Sequence, residues 1–497
     1  MTETATAPDT LVGGGDQPNL YIGGKWVAPH STKRLEVISP ATGQKVGSAP
    51  DGDATDVDTA VKAAKAAFDS GIWRTKAPAE RAAVLRKAAE LLNERAGDVT
   101  GLISAEMGAS AADVATLQML PGTGVLNAYA DASDAYQWEE KRTGLFGETI
   151  VVREPVGVVG AITAWNVPLF LVCNKLGPAL AAGCSIVLKP APETPLDANL
   201  IAEIFTEAGV PEGVISVVTG GLEAGQALVE HPDVDKITFT GSTAAGKIIA
   251  SRCGELLKRY SLEMGGKSAA IVLEDVDLPS SIHMLVFSGL LNNGQACVAQ
   301  TRVLVPRSRH DEIVAAMVET AKTFTPGVPS DPEAKLGPII TEKQRDKVEG
   351  YIKKGKDEGA TAVLDGGRPD GLDSGHFVAP TIFTGVTNDM TIAREEIFGP
   401  VISVIPYDTV DEAIAIANDS DYGLAGSVWT SDIEKGVEIA KQVRTGTYGI
   451  NWYAIDPASP FGGYKTSGIG RENGREGLES YLEHKAILMP MGYSSQG

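Results

Sequence analysis

The sequence predicts an α/β fold built on parallel sheets, and three observations carry that expectation. Between Val156 and Leu273, short apolar runs alternate with amphipathic stretches. The same alternation resumes after Cys297. The chain has 497 residues, 43% of them hydrophobic. That is enough for roughly two to four domains of about 100–200 residues and for a large buried core. Strands joined through helices lie parallel, so such a series makes a sheet covered by helices on both faces.

Each element follows from its own residues. Residues 1–17 are rich in Thr, Ala, Gly and Asp and read as a disordered tail. Val57–Phe68 and Ala79–Arg95 are Ala-rich amphipathic helices. Val156–Thr163 is an apolar strand, Leu169–Gly183 a helix closed by glycine, and Ser185–Lys189 a short buried strand. Leu196–Gly209 is a helix, Val214–Val218 a strand, and Ala224–Glu230 a short helix. Lys236–Thr240 is a strand, Ala244–Leu257 a helix, and Ala269–Leu273 a strand. In the second series, Arg302–Val305, Val401–Ile405, Ser427–Thr430 and Gly449–Asn451 read as strands. His310–Thr323, Glu342–Glu358, Asp411–Ala417 and Ile433–Val443 read as helices.

Composition narrows the function. A formal net charge of −21 with no basic run argues against nucleic acid or an anionic membrane surface as partner. The four cysteines, Cys173, Cys184, Cys253 and Cys297, form no C-x-x-C pair, so no metal frame is expected and a reducing, cytoplasmic location is. The N-terminus lacks a basic-then-apolar leader, and no apolar run reaches the ~18 residues of a membrane span.

Several motifs sit where parallel strands end, the edge at which α/β sheets bind ligands. Gly241-Ser242-Thr243-Ala244-Ala245-Gly246 follows the strand Lys236–Thr240 and opens a helix. It is neither the G-x-G-x-x-G fingerprint nor a P-loop, but such a turn points backbone N–H groups at an anion. Read alone, it is equally an ordinary capped βα turn. Trp165-Asn166-Val167-Pro168 follows the first strand, and an Asn amide there can donate to an oxyanion or simply satisfy the turn. Lys189-Pro190-Ala191-Pro192-Glu193 follows the third element, where a Lys could meet ribose or phosphate or remain solvated. Glu263 precedes Gly265-Gly266, so a mobile carboxylate could act as general base. Cys297, after Gly294-Gln295-Ala296, is a nucleophile or a small buried hydrophobe. Glu396-Ile397-Phe398-Gly399-Pro400 and Pro460-Phe461-Gly462-Gly463 read locally as turns.

In this order, from about Tyr21 onward, these motifs resemble the NAD(P)-dependent aldehyde dehydrogenase superfamily, of the hydrolytic type. The resemblance implies two doubly wound parallel-sheet domains with a small β oligomerisation extension. Residues 18–135 and 154–262 would form a Rossmann-like cofactor domain, 263–470 the catalytic domain, and 136–153 with 481–497 the oligomerisation segment of a homodimer or homotetramer. It implies Cys297 as nucleophile, Asn166 and the Cys297 N–H as oxyanion hole, Glu263 as base, and Lys175 in a proton path. It implies cofactor contacts from Trp165, Lys189, Gly241, Ser242, Gly246, Glu396 and Phe398. The aldehyde tunnel would be lined by Val167, Phe170, Leu171, Asn174, Leu291, Trp452, Ile455 and Phe461. That mostly apolar lining suits a medium-sized aliphatic, terpenoid or aromatic aldehyde. Many NAD-preferring members carry a glutamate at the position of Pro192; its absence leaves NADP open beside the expected NAD. The rival readings are a CoA-acylating semialdehyde dehydrogenase, which typically lacks the base, and a non-catalytic dinucleotide-binding relative, which would have lost Cys, Asn or base.

Overall fold

The computed structural model describes residues 15–491 and 493. Its first sheet has eight strands, in the order Gly468–Ile469, Arg259–Glu263, Lys236–Thr240, Val158–Ile162, Ser185–Lys189, Ile215–Val217, Leu20–Ile22 and Lys25–Val27. The central five are parallel, and the flanking strands pair antiparallel. Successive side chains point to opposite faces of a strand. Accordingly Val159, Ala161, Ile186 and Leu188 enter one core with the helices Pro78–Glu94, Leu120–Ala135, Pro168–Ala182 and Leu196–Glu207. Val158, Ile162, Val187 and Ile237 enter the opposite core, with Ala54–Ser70, Leu222–Glu230 and Thr243–Leu256. Burial on both faces explains why these strands are nearly continuous apolar runs.

The second sheet has seven strands, in the order Thr361–Leu364, Thr381–Thr384, Val401–Tyr407, Arg302–Pro306, Ala269–Val272, Gly426–Trp429 and Gly449–Ile450. All but the first pair in parallel. Here too the alternation splits the core. Ala269, Ile271 and Leu304 pack to one side, and Ala270, Val272, Val303 and Val305 to the other. A third, antiparallel sheet joins Leu482–Leu488, Gly147–Pro155 and Glu139–Gly144. Its hairpin tip, Leu145 and Phe146, is 92% and 73% exposed. Among the described residues no helix is long and apolar enough to cross a membrane.

The doubly wound reading holds for both large sheets, with four refinements. Of the expected tail, residues 1–14 lie outside the described residues, whereas Gly15–Asp16 pair in parallel with Lys45–Pro50. The strand Arg259–Glu263 is absent from the sequence reading because Arg-Tyr-Ser-Leu-Glu offers no apolar run. The helix Leu120–Ala135 is disguised by Pro121, Gly122 and Gly124; it emerges from a π-helical turn, Val114–Met119, and proline is tolerated in a first helical turn. Finally, Gly468–Ile469, assigned by sequence to the catalytic domain, pair with Leu262–Glu263 in the first sheet.

Gly157 sits at φ +131° before the strand Val158–Ile162, and a Cβ there would lie 2.0 Å from Asp235 Oδ2, which accepts the Val158 N–H at 2.7 Å. Gly157→Ala is therefore expected to destabilise the protein by about 1–3 kcal/mol. Thermal denaturation checks this; an unchanged Tm contradicts it.

Candidate active site

The first of the five parallel strands in chain order, Val158–Ile162, lies between Ser185–Lys189 and Lys236–Thr240. The winding reverses there, and the carboxyl ends of the strands at such a switch point open a ligand crevice. Trp165 and Asn166 leave one strand end, and Gly241 and Ser242 leave its neighbour. Ser242 caps the helix Thr243–Leu256, its Oγ accepting the Ala245 N–H at 3.3 Å. The Gly241 N–H donates to the Glu263 carbonyl at 3.0 Å. A Cβ on Gly246 would fall 2.0 Å from Met264 Sδ, so this glycine lets the helix close on the Glu263 segment. Lys189 is buried at the next strand end and donates to the carbonyls of Pro190 (2.8 Å) and Gly220 (2.9 Å). Burial pulls its ammonium down to about 8. The Trp165 and Phe398 rings meet edge to face at 5.4 Å, with Phe398 held at φ +59°.

Cys297 is placed by a strained loop. Asn292, Asn293 and Gly294 all have left-handed φ, of 53°, 58° and 70°. Only glycine fits the third position, because a Cβ would stand 2.1 Å from the Gly399 carbonyl. Asn292 Nδ2 donates to the carbonyls of Asn166 (2.8 Å) and Gln295 (3.2 Å), and Asn166 Nδ2 donates to Gln295 O at 3.0 Å. The Gln295 amide is itself fixed by Pro338 O and Ile340 N. Asn166 and the cysteine loop are thereby one hydrogen-bonded unit. The half-buried Cys297 packs in an apolar cluster with Leu291, Val298, Leu424, Ile455 and Phe461.

Glu263 ends its strand fully enclosed, and among the described residues neither carboxylate oxygen has a hydrogen-bond partner. Burial, then the Glu472 charge, raises its pKa well above the usual carboxylate range. The glycines that follow are tight rather than mobile. A Cβ on Gly265 would lie 2.3 Å from Glu396 Oε2, and one on Gly266 would lie 2.4 Å from the Cys297 carbonyl. The Gly266 N–H also donates to Glu396 Oε1 at 3.0 Å. The expectation of a carboxylate swinging on flexible glycines is corrected: Gly265 and Gly266 let three segments approach closely. Burial first, then the Glu396 and Glu263 charges, pushes the Cys297 thiol far above its ordinary range.

Lys175 forms a buried ion pair with Glu472, whose other oxygen accepts Asn174 Nδ2 at 2.7 Å. Tyr129 OH donates to Asn174 Oδ1 at 3.4 Å and accepts the Asn473 N–H at 2.7 Å. Asn174, expected in the tunnel lining, is engaged by Glu472 and Tyr129. Val167, Phe170 and Leu171 belong to the first core cluster. Ile455 packs against both that cluster and the one around Cys297, so it joins the two walls. Trp452 is 59% exposed and lies outside both clusters. Sequence reasoning missed Glu472, Asn292 and Tyr129. Arg471-Glu472-Asn473 looks like a polar surface loop, and nothing local marks its pairing with Lys175.

Fold and site together define a two-sheet α/β enzyme with a thiol, an amide and two carboxylates at a dinucleotide-type crevice. The chain belongs to the aldehyde dehydrogenase family, whose profile matches residues 26–487. It is 45% identical over 475 residues to a geranial dehydrogenase of Castellaniella defragrans, covering 95% of this chain and 99% of that one. It superimposes with a TM-score of 0.95 and 59% identity on a Mycobacterium tuberculosis aldehyde dehydrogenase complexed with NAD+, covering 97% of this chain and 99% of the other. It matches a cysteine-to-alanine mutant of Pseudomonas syringae AldC, complexed with NAD+ and octanal, at a TM-score of 0.92 and 41% identity, covering 96% and 97%.

The raised thiol makes a prediction. In the cofactor-free protein, alkylation of Cys297 by iodoacetamide should still accelerate above about pH 9, whereas an unperturbed thiol levels off past its pKa of about 8.5. Rates by peptide mass spectrometry that level off by about pH 9 would contradict it.

Proposed function

We propose that this enzyme oxidises a medium-sized apolar or aromatic aldehyde to the carboxylic acid, with NAD as the hydride acceptor. The observation that carries the proposal is the joint placement of Cys297, Asn166 and Glu263 within one apolar enclosure.

The residues at the crevice fit a dinucleotide. The helix start at Ser242 offers its positive end to a pyrophosphate, Lys189 retains a donor for the adenosine ribose, and Glu396 suits the nicotinamide ribose hydroxyls. Trp165 and Phe398 form an aromatic corner suited to the nicotinamide end. Bound there, the cofactor supplies a two-electron hydride acceptor.

The chain's own residues perform the rest. The Cys297 thiol loses its proton to solvent; Sγ then adds to the aldehyde carbon and forms a C–S bond as the C=O π pair moves to oxygen and makes an alkoxide. Asn166 Nδ2, with one proton on Gln295 O, has its second for that oxygen, beside the Cys297 N–H. Such donors contribute about 3–4 kcal/mol each in well-studied hydrolases. Loss of hydride from the carbon leaves a thioester on Cys297. Glu263 takes a proton from water, whose oxygen attacks the thioester; the C–S bond breaks, the carboxylic acid leaves and Cys297 is regenerated as the thiolate. The Lys175–Glu472 pair, whose charges act on Glu263 from opposite directions, is suited to accept that proton onward.

The apolar lining around Phe170, Leu171, Leu291, Ile455 and Phe461 supports the substrate class, as do the geranial-oxidising relative and the octanal-bound relative. The exposed apolar tip of the third sheet supports assembly as a homodimer or homotetramer. Four free cysteines support a reducing, cytoplasmic setting.

Two outcomes are expected. Because burial raises the Glu263 pKa, the base is neutral at low pH, and kcat should climb as pH rises through that raised value. Glu263→Gln should lower kcat by about 10²-fold or more and remove that limb; an unchanged pH profile of NADH production would refute the role. Against a panel of aldehydes, octanal or citral should exceed succinic semialdehyde in kcat/KM by about tenfold or more. The reverse order would refute the substrate class.

A further inference from the structure

The adenosine side of the crevice holds a charge arrangement that the proposed reaction does not use. In doubly wound sheets, an acidic residue at the end of the second strand takes the ribose hydroxyls and disfavours a 2′-phosphate. Here the second strand of the series, Ser185–Lys189, ends in lysine and runs into Pro190-Ala191-Pro192, so it carries no carboxylate at that place. A carboxylate arrives instead from the N-terminal part of the chain. Asp51 directly follows the strand Lys45–Pro50, and its Oδ1 accepts the Gly221 N–H at 2.9 Å. The preceding residue, Gly220, is the one whose carbonyl receives Lys189 Nζ at 2.9 Å.

This carboxylate is held firmly. The Asp51 N–H donates to Lys33 O at 3.0 Å, the Gly52 N–H donates to Thr219 O at 2.9 Å, and Thr219 Oγ1 donates to Pro50 O at 2.7 Å. On the other side, a Cβ at Gly225 would be in ordinary contact, 3.5 Å, with Lys189 Cε. Asp51 Oδ2 has no hydrogen-bond partner among the described residues, so one oxygen anchors the group and the other is open. Glu193 is the second carboxylate whose charge reaches Lys189, and both oppose the effect of burial on that ammonium.

We infer that Asp51 is the specificity-determining carboxylate of the cofactor crevice, selecting a ribose with a free 2′-hydroxyl over one bearing a 2′-phosphate. The inference rests on the dinucleotide reading above. A 2′-hydroxyl donates to Asp51 Oδ2. A 2′-phosphate, carrying roughly −1.5 to −2 charges at neutral pH, would face the charges of Asp51 and Glu193 beside Lys189. Pro192 is tolerated in an NAD enzyme because the missing carboxylate is supplied from across the crevice.

The test is Asp51→Asn, which keeps an oxygen for the Gly221 N–H and removes the charge. Kd values for NADH and NADPH are read by fluorescence titration, and kcat/KM for NAD and NADP with octanal by absorbance. The parent should favour the unphosphorylated cofactor in both readouts. D51N should shift the NADPH-to-NADH affinity ratio and the NADP-to-NAD kcat/KM ratio toward the phosphorylated form by about tenfold, mainly through KM. Raising the ionic strength should lower the parent's KM for NADP and change that of D51N less. A parent that prefers NADPH, or D51N ratios within about twofold of the parent's, would overturn the inference. Binding without aldehyde oxidation would instead sink the proposed reaction and leave the Kd comparison to judge Asp51.

Discussion

The site depends on one steric constraint: three chain segments cross where there is no room for a side chain. Gly265 abuts the Glu396 carboxylate, and Gly266 abuts the carbonyl of Cys297. On the cysteine side, Gly294 presses on the Gly399 carbonyl. The crossing lies between the last parallel strand of the first sheet, Arg259–Glu263, and the first strand of the second, Ala269–Val272. Glu263, Cys297 and Glu396 therefore keep one mutual arrangement, fixed by close backbone contact.

Burial does the chemical tuning. Cys297, Glu263 and Glu396 are all shifted toward their neutral forms, and each carboxylate further opposes the thiolate. An enclosure that resists charge in its resting state strengthens the few donors aimed at a developing oxyanion, because little water screens them. The left-handed run Asn292–Gly294 shows where conformational strain is kept: shortly before Cys297, and held by Asn166 and Gln295 through hydrogen bonds.

Much of this was legible in the sequence, for identifiable reasons. Ser185–Lys189 and Lys236–Thr240 were found to the residue, the first as an apolar run bounded by Gly183 and Pro190, the second as β-branched and aromatic residues ending at Gly241. Arg259–Glu263 escaped because only Tyr260 and Leu262 are apolar between the charged Arg259 and Glu263. The hydrogen bonding of Asn174 was not legible, because helical spacing shows only that it lies near Phe170 and Leu171, while the partner of its amide, Glu472, comes from a loop 298 residues away. Gly265 and Gly266 were correctly singled out but for the wrong property, since sequence cannot distinguish a glycine needed for freedom from one needed for closeness. Asp51 carried no local signal at all; its meaning appears only once Gly220 and Gly221 are folded against it.

The central claim is that an acyl group rests on Cys297 and leaves by way of Glu263. Peptide mass spectrometry of the Glu263→Gln protein, acid-quenched during turnover of octanal with NAD, tests it most directly. The account predicts an octanoyl adduct on the peptide containing Cys297, accumulating in the variant and sparse in the parent. No adduct on Cys297, or an adduct equally abundant in both proteins, would contradict it.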